Sequence, residues 1–290
     1  MEQTDRNIVK KAVYRRSDDA NKGMLGSLLM ICGCYGMAGA AVMAGKASLR
    51  CGIGLLKNAV VKSIYPIIAG QIYESVFFPL DQTDDGKLSK SNIDFLLSES
   101  NRSSAVLIGC GLSVCDDTRA IVDSVIRNCE IPIVLDADAL NCVAENPDVL
   151  NNKKSDIIIT PHPGEMARLV GTDTKEINRN RVKTAADFAD KYGVVTVLKG
   201  AGTVIASPDG RVLINQTGNS GMATGGSGDV LAGMTAALLA QGATPFDAAA
   251  AAVYLHGLAG DIAAEKLGKI SMLPTDLINE ISTAYRKCGF

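Results

Sequence analysis

A glycine-rich run in the last third of the chain holds the residues whose types and spacing best suit chemistry. It covers residues 219–229 and leads into an apolar segment, residues 230–240, with the spacing of one helix face. The first N–H groups of such a helix have no intrahelical partners and carry the positive end of the helix dipole. Glycine lets an anion approach that backbone closely. We therefore predict an anion hole with Asp229 beside it, an arrangement suited to moving a phosphoryl group.

A structural interpretation of the same run stays open. Gly225, Gly226 and Gly228 could form only a tight turn, with Asp229 as an ordinary acid at a helix start. The spacing is not that of a Walker A loop, because no Lys-Ser or Lys-Thr pair follows the last glycine. It is also not the dinucleotide pattern directly after an apolar strand. A phosphate site of another kind is needed.

Acidic side chains and a histidine follow two other predicted strands. Asp136 and Asp138 come directly after residues 131–135 and could bind Mg²⁺ through water or hold a neighbouring loop, while capping of the next helical turn explains them equally well. His162 lies at the tip of a turn locked by two prolines, where a neutral imidazole could contact a substrate. Glu165 begins the next helix and could equally complement its dipole.

Other turns give weaker signals. Lys199 and the Gly-Ala-Gly-Thr segment at residues 200–203 fit a polyphosphate or adenine–ribose contact, the alternative being an exposed lysine at a strand end. In residues 33–40, Gly39 and Ala40 would let a flat ligand approach the backbone, but close packing by small side chains explains the segment equally well. Residues 109–111 form a second flexible turn. We interpret His256, in an alanine-rich helix, as a packing residue.

The elements that must position these residues alternate between short apolar runs and helical patterns. Continuous apolar runs indicate strands covered on both faces, hence an α/β fold whose mostly parallel central sheet has helices on both faces. We predict strands at residues 28–32, 105–108, 131–135, 157–160 and 194–198, a hairpin of residues 203–206 and 212–214, and closing helices near 230–241, 246–266 and 274–287. Ligands bind at the carboxyl ends of such strands, so we expect the turns to converge on one cleft.

Composition excludes several classes of protein. The formal charge of −2 gives no basic footprint for nucleic acid. Eight cysteines without zinc-type spacing indicate reduced thiols inside the cell. Residues 1–22 are a charged lead-in without the apolar core of a secretion signal. The chain of 290 residues shows no repeat or linker, so we predict a single domain over residues 1–290, located in the cytoplasm.

One uncharged stretch, residues 23–45, is long enough to span a bilayer. Glycines at positions 26, 33, 36 and 39 interrupt it. We therefore predict a strand, a loop and a helix start in this stretch, and no membrane association.

These residues, in this order, resemble the ribokinase-like superfamily and, within it, the NAD(P)H-hydrate dehydratases. The resemblance runs over residues 23–281 and is most specific at residues 219–229, 160–165 and 33–55. The glycine-rich motif with its aspartate indicates only the superfamily, which includes kinases of sugars and vitamin precursors. The other two segments separate the dehydratases from those kinases.

The resemblance implies roles for individual residues. Positions that contact the hydrated nicotinamide cofactor correspond to Ala40, Gly111, His162 and Asp229, and Asp229 is also the acid next to the reacting hydroxyl. Nucleotide-binding positions correspond to Lys199, Gly200, Ala201, Gly202, Thr203, Gly225, Gly226, Ser227 and Gly228. The family's first loop usually has a hydroxyl residue where Cys34 stands, a departure that affects the cofactor contacts expected there.

The implied activity is dehydration of the S epimer of NAD(P)H hydrate (NADHX and NADPHX) to NAD(P)H, with ADP or else ATP as phosphoryl donor. Mg²⁺ would bridge the donor phosphates, and the resemblance implies a homo-oligomer, a tetramer. Phosphorylation would turn the hydrate hydroxyl into a leaving group that the ring nitrogen can expel. The alternatives are a kinase that stops at the phosphorylated product, a non-catalytic nucleotide sensor and a nicotinamide oxidoreductase.

Overall fold

Strands of the computed structural model, which describes residues 2–13 and 15–290, lie in one ten-stranded sheet. They are β1 (Glu2–Gln3), β2 (Ser27–Ile31), β3 (Leu55–Val61), β4 (Ser75–Leu80), β5 (Ala105–Ile108), β6 (Ile133–Leu135), β7 (Ile157–Ile159), β8 (Val195–Leu198), β9 (Val204–Ala206) and β10 (Val212–Ile214). Their spatial order is β1-β10-β9-β8-β7-β6-β5-β2-β3-β4. Among these described strands only β9 runs against its neighbours. The predicted mostly parallel sheet is confirmed.

Helices cover both faces of the sheet, as predicted. They are α1 (Arg6–Ala12), α2 (Ala38–Arg50), α3 (Tyr65–Ala69), α4 (Ile93–Ser100), α5 (Asp116–Asn128), α6 (Asp138–Val143), α7 (Pro163–Val170), α8 (Thr174–Arg179), α9 (Arg181–Tyr192), α10 (Ser227–Ala240), α11 (Pro245–Leu267) and α12 (Pro274–Lys287). Helices α1, α2, α10, α11 and α12 pack together on one face, and α4 to α9 form a continuous layer on the other. The core lies between these layers and the sheet.

Two strands that the sequence pattern did not predict extend the sheet beyond β2. Strand β3 contains polar side chains that are satisfied inside the fold: Lys57 donates to Glu99 at 3.3 Å, and Asn58 donates to the Ser75 hydroxyl at 2.7 Å. Because these polar side chains interrupt the apolar run of β3, the sequence pattern did not predict this strand. Strand β4 carries Pro79 and is the edge strand, where a missing backbone donor is tolerated.

The charged stretch predicted as a lead-in takes part in the fold. Strand β1 pairs with β10, Glu2 lying opposite Leu213. Helix α1 buries Ile8 and Val9 and packs against α11. Its apolar face is short, and the surrounding charges mask it in the sequence.

The uncharged residues 23–45 form β2, a loop and the start of α2, which confirms that prediction. Over the described residues, none of the helices is long and apolar enough to cross a membrane.

Helices α2 and α10 cross in close contact, and this contact positions the site. A Cβ added at Gly233 would lie 2.2 Å from the carbonyl oxygen of Ala44, so only glycine permits the approach. The Ser48 hydroxyl donates to the Gly233 carbonyl at 2.9 Å and fixes the same crossing. The small residues of α2 therefore have a packing role, and the beginnings of both helices lie near the same edge of the sheet.

Candidate active site

Loops at the carboxyl ends of neighbouring strands are joined by backbone hydrogen bonds. The Gly33 N–H donates to the Cys110 carbonyl at 2.8 Å, which joins the loops after β2 and β5. The Lys199 N–H donates to the Pro161 carbonyl at 2.8 Å, which joins those after β8 and β7. These loops lie side by side at one edge of the sheet, as predicted, and their convergence on one ligand-binding cleft stays a prediction.

The glycine-rich run ends in a helix start whose N–H groups point outward. Helix α10 begins at Ser227, earlier than predicted, and its first intrahelical bond runs from Val230 N to the Gly226 carbonyl at 3.1 Å. The N–H groups of Gly228 and Asp229 therefore face the open end of the helix. Lys199 lies beside them, since a Cβ on Gly228 would be 3.3 Å from its Nζ. Backbone donors, one ammonium and one carboxylate meet here.

Substitution Gly226→Ala should distort this loop. Gly226 has a φ of +105°, and an added Cβ would lie 2.4 Å from the Met43 sulfur. We expect a loss of about 1–3 kcal/mol in the free energy of unfolding, because a non-glycine residue is strained in this region. Urea denaturation measures the change. Gly225→Ala is the matched control, since its Cβ would meet open space and Gly225 has no positive φ; an equal loss in both variants would contradict the explanation.

A buried thiol and two carboxylates form the centre of the site. Donor atoms of Cys110, Asp136 and Asp229 all lie within 4.8 Å of one another. The Cys110 S–H donates to Asp136 Oδ2 at 3.6 Å. Its neighbour Cys32 and its burial raise the pKa of Cys110 well above the ordinary value, so the thiol stays protonated. Cys110 is therefore a neutral donor next to two acids.

The pKa of the Asp229 carboxyl is raised toward neutral pH. Loss of hydration raises its pKa to about 6, and the negative charge of Asp136 acts in the same direction. A pKa in this range suits a group that takes a proton during a reaction and is ionised at physiological pH.

Lys199 compensates the buried negative charge. Its Nζ lies 2.7 Å from Asp136 Oδ1 and 3.8 Å from Glu165 Oε2, and its side chain is 17% exposed. Burial alone would lower the pKa of Lys199, but the charges of Asp136 and Glu165 outweigh burial and raise it. The alternative of an exposed strand-end lysine is wrong. Contact of Lys199 with a nucleotide stays a prediction.

His162 and Glu165 form a reciprocal cap at the start of α7. His162 Nδ1 accepts from the N–H of Gly164 at 2.9 Å and of Glu165 at 3.2 Å, and the Glu165 carboxylate accepts from the His162 N–H at 2.7 Å. Burial, followed by the charge of Lys199, lowers the pKa of His162, so the ring is neutral at physiological pH. Its side chain is 51% exposed. A ligand-facing edge of the imidazole stays a prediction.

The loop after β2 and the loop after β5 touch at the residues expected to hold substrate. A Cβ on Gly111 would lie 2.8 Å from the Ala40 Cβ and 3.0 Å from the Met37 carbonyl. Cys34 is buried and its thiol faces the Tyr35 carbonyl, whereas the Tyr35 side chain is 71% exposed. Gly111 is therefore packed closely against the start of α2, and a larger side chain at this position would disturb that contact.

Asp138 holds a neighbouring loop, one of the interpretations left open by the sequence. Its Oδ2 accepts from the Ser113 N–H at 2.7 Å, and its Oδ1 accepts from the Asn141 amide at 3.4 Å. Ser113 has a φ of +66°, so this bond secures a strained backbone position.

The acidic residues predicted as possible magnesium ligands are already engaged with protein donors. Asp136 Oδ1 accepts from Lys199 and from the Thr160 hydroxyl, and its Oδ2 faces Cys110. A thiol is a poor ligand for Mg²⁺, which prefers oxygen. The cluster therefore does not fit a magnesium ion held directly by protein. Binding through water by Asp136, Asp138 or Glu165 stays a prediction.

The turn at residues 200–203 is closed by an internal hydrogen bond, and the Arg181 side chain binds the backbone next to it. The Thr203 hydroxyl donates to the Gly200 carbonyl at 2.9 Å. Arg181 donates to the carbonyls of Leu198 at 2.9 Å and of Lys199 at 3.2 Å. Sequence reasoning missed Arg181, which begins an ordinary amphipathic helix and carries no motif.

The interpretation of His256 as a packing residue is incomplete. Its Nε2 lies 2.9 Å from the carbonyl oxygen of Ser227, the first residue of α10. No local signal could have found this contact, because the surrounding residues of α11 are alanine-rich and the two residues are far apart in sequence.

Comparison with known proteins gives a consistent result. The family model described as NAD(P)H-hydrate dehydratase matches residues 28–283. The ADP-dependent (S)-NAD(P)H-hydrate dehydratase of Neisseria meningitidis is 36% identical, with 93% of this chain and 87% of that protein covered. A crystal structure of the ADP/ATP-dependent NAD(P)H-hydrate dehydratase of Bacillus subtilis, co-crystallised with ATP and Mg²⁺, superimposes with a TM-score of 0.85 at 29% identity, covering 99% of this chain and 98% of that one.

Several similar proteins are longer. The bifunctional NAD(P)H-hydrate repair enzyme of Moorella thermoacetica is 43% identical over 91% of this chain, but the match covers 50% of that protein. The chain thus spans about half the length of the bifunctional relatives it matches. The family model, the Neisseria relative and the shared ribokinase-like sheet agree, so the chain belongs to the NAD(P)H-hydrate dehydratase family.

Proposed function

We propose that the chain catalyses the ADP-dependent dehydration of (S)-NAD(P)H hydrate to NAD(P)H, and so repairs damaged nicotinamide nucleotides. The observation that carries the proposal is the carboxyl of Asp229, with its pKa of about 6, in the first turn of α10 beside outward-facing N–H groups. A base and an anion hole are thereby held at one point, as phosphoryl transfer to a hydroxyl requires.

The residues divide the reaction between them. Asp229 accepts the proton of the hydrate hydroxyl as its oxygen attacks the terminal phosphorus of the donor. The N–H groups of Gly226, Gly228 and Asp229 stabilise the charge on the transferred group, whereas the Ser227 N–H donates to the Thr224 carbonyl at 3.2 Å. ADP leaves as AMP, and the ring-nitrogen lone pair then expels phosphate to give an iminium cation. Loss of a proton from the adjacent ring carbon to solvent restores the ring double bond and NAD(P)H.

The remaining predicted residues would bind the ligands. Ala40, Gly111 and His162 border the hydrate, and residues 199–203 and 225–228 border the nucleotide. Gly111 lies next to Ala40, and Gly228 lies next to Lys199. These two contacts support one group of residues for the hydrate and another for the nucleotide. Mg²⁺ would be held by the phosphates of ADP and would neutralise their charge. This agrees with the engagement of the acidic side chains by protein donors, which leaves, among the described residues of the cleft, no site that fits a directly bound magnesium ion.

The pH dependence of the reaction should report Asp229. Because its pKa is raised to about 6, the base is ionised above that pH and protonated below it. We expect kcat/KM to be level at neutral pH and to fall about tenfold per pH unit below pH 6. A pH–rate profile with saturating ADP measures this, with Tm followed over the same range to exclude acid unfolding. A profile that stays level down to pH 4 would contradict the role of Asp229.

An absorbance assay tests the function itself. Purified protein, ADP and NADHX should restore the near-ultraviolet absorbance of NADH, with AMP and phosphate formed in equal amounts. A kinase that stops at phosphorylation would consume ADP and leave the absorbance unchanged. A nicotinamide oxidoreductase would act on NAD⁺ and an alcohol without ADP, and a sensor would bind ADP without consuming it.

The choice of donor is part of the proposal. The name of the Neisseria relative supports ADP, whereas the Bacillus relative is named for both nucleotides. Equal concentrations of ADP and ATP in the same assay decide between them, and faster repair with ATP would overturn the preference.

We also propose a cytoplasmic homo-oligomer, a tetramer. The exposed apolar side chain of Val76 in the edge strand β4, together with those of Ile67 and Tyr73 just before it in the chain, supports an interface there. Light scattering measures the assembly.

A further inference from the structure

The middle of α11 is in contact with the loop from Thr217 to Ser227, which we call the phosphate-binding loop. Residues 256, 257, 260 and 261 lie on the same side of this helix. The loop from Thr217 to Ser227 runs against that side, and most of the contacts described below join the two.

The beginning of the loop is bound to the carboxylate of Asp261. Its Oδ2 accepts from the Gly218 N–H at 2.9 Å, and its Oδ1 accepts from the Asn219 amide at 3.0 Å. The same amide donates to the Gly260 carbonyl at 3.0 Å. The Asn219 Oδ1 in turn accepts from the Gly221 N–H at 2.9 Å, so the restraint passes into the turn.

Glycines on α11 let the loop lie directly against the helix. A Cβ on Gly257 would lie 2.2 Å from the Thr217 hydroxyl oxygen, and one on Gly260 would lie 2.4 Å from the Met222 sulfur. Side chains at these positions would push the loop away from the helix.

The end of the loop is bound to His256. A carbonyl oxygen only accepts hydrogen bonds, so Nε2 of His256 carries the proton that it shares with Ser227 at 2.9 Å. Ser227 is the first residue of α10, and the N–H groups of Gly228 and Asp229 follow it directly. A shift of Ser227 would therefore move both the anion hole and the base.

We propose that His256 and Asp261 are positioning residues for phosphoryl transfer, which bind the two ends of the phosphate-binding loop and hold the first turn of α10 in its reactive arrangement. This inference deepens the proposed function, and its kinetic part rests on that function. Neither side chain needs to touch a ligand, because both act through the loop backbone.

Paired substitutions at His256 separate positioning from packing. His256→Phe keeps an aromatic ring but has no donor, whereas His256→Gln places an amide N–H near the position of Nε2. We expect His256→Phe to lower kcat by about tenfold and His256→Gln to stay within about threefold of the wild-type chain. Tyr254→Phe, a loss of one hydroxyl on the same helix, is the matched control and should leave kcat unchanged. If the Phe variant equals wild type, or the Gln variant is equally slow, the proposal is wrong.

Hydrogen exchange followed by mass spectrometry tests the same inference without any reaction. Peptides covering residues 217–231 should exchange faster in His256→Phe than in His256→Gln or Tyr254→Phe, in the absence of nucleotide. If wild type does not repair NADHX but the exchange difference is found, the proposed function fails and the loop restraint stands. Should His256→Phe not fold, Asp261→Asn must show faster exchange at residues 217–222, and an unchanged rate there overturns the proposal.

Discussion

Replacement of Asp229 by asparagine is expected to lower kcat by about 10²-fold or more, the scale of a positioned general base. Asparagine fits the same space but cannot accept the hydroxyl proton. Nucleotide affinity should be largely kept, because the N–H groups of the α10 start are unchanged. Initial rates of NADH recovery, with ADP binding measured by calorimetry, check both statements.

Stability provides the internal control for Asp229→Asn. The folded state raises the pKa of Asp229, so at neutral pH the ionised carboxylate destabilises the fold relative to the unfolded chain. A neutral amide removes that cost, and we expect a Tm at least as high as wild type. A variant that is stable, binds ADP and still turns over at the wild-type rate would refute the role of this residue.

Replacement of Lys199 by methionine is expected to have the largest effect on stability. Lys199 Nζ lies 2.7 Å from Asp136 Oδ1, and the Asp136 side chain is 2% exposed. Methionine has a similar length but leaves that carboxylate buried without its cation. Breaking a buried pair in this way costs about 3–5 kcal/mol. The midpoint of urea unfolding measures the loss.

The double variant Lys199→Met with Asp136→Asn tests the cause. If the unpaired charge is responsible, removal of that charge should recover most of the lost stability. Activity should stay low in the double variant, because Nζ is also absent beside Gly228. A double variant no more stable than Lys199→Met would show that side-chain packing, and not charge, explains the loss.

The sequence pattern predicts those strands and helices whose residues already have the hydrophobic pattern of the element they form. Residues 105–108 are continuously apolar and form β5 over the same residues. Strand β3 was missed because Lys57 and Asn58 find partners only after the chain has folded, at Glu99 and Ser75. Such pairing is long-range, and a window along the sequence contains no trace of it.

In the candidate site, too, local features could be predicted from the sequence and long-range contacts could not. The outward-facing helix start at Gly228 and Asp229 is local, so glycine content and helix periodicity predict it. The ion pair of Lys199 with Asp136 joins two turns that are far apart in the sequence. The sequence pattern singles out each of the two residues but does not predict that they pair. His256 is the extreme case, because its partner is a backbone carbonyl that any residue could supply.

The crossing of α2 and α10 at Gly233 has a consequence for how the protein can move. Helix α10, which carries Asp229, and helix α2, which carries Ala40, are in direct backbone contact at Gly233, and the Ser48 hydroxyl bonds the two helices there. We therefore expect the two helices to move as one rigid unit, so that the span between the two proposed ligand sites is set when the protein folds. Any closure over the bound molecules must therefore come from the outer loops, such as the one in which Gly86 meets Tyr35.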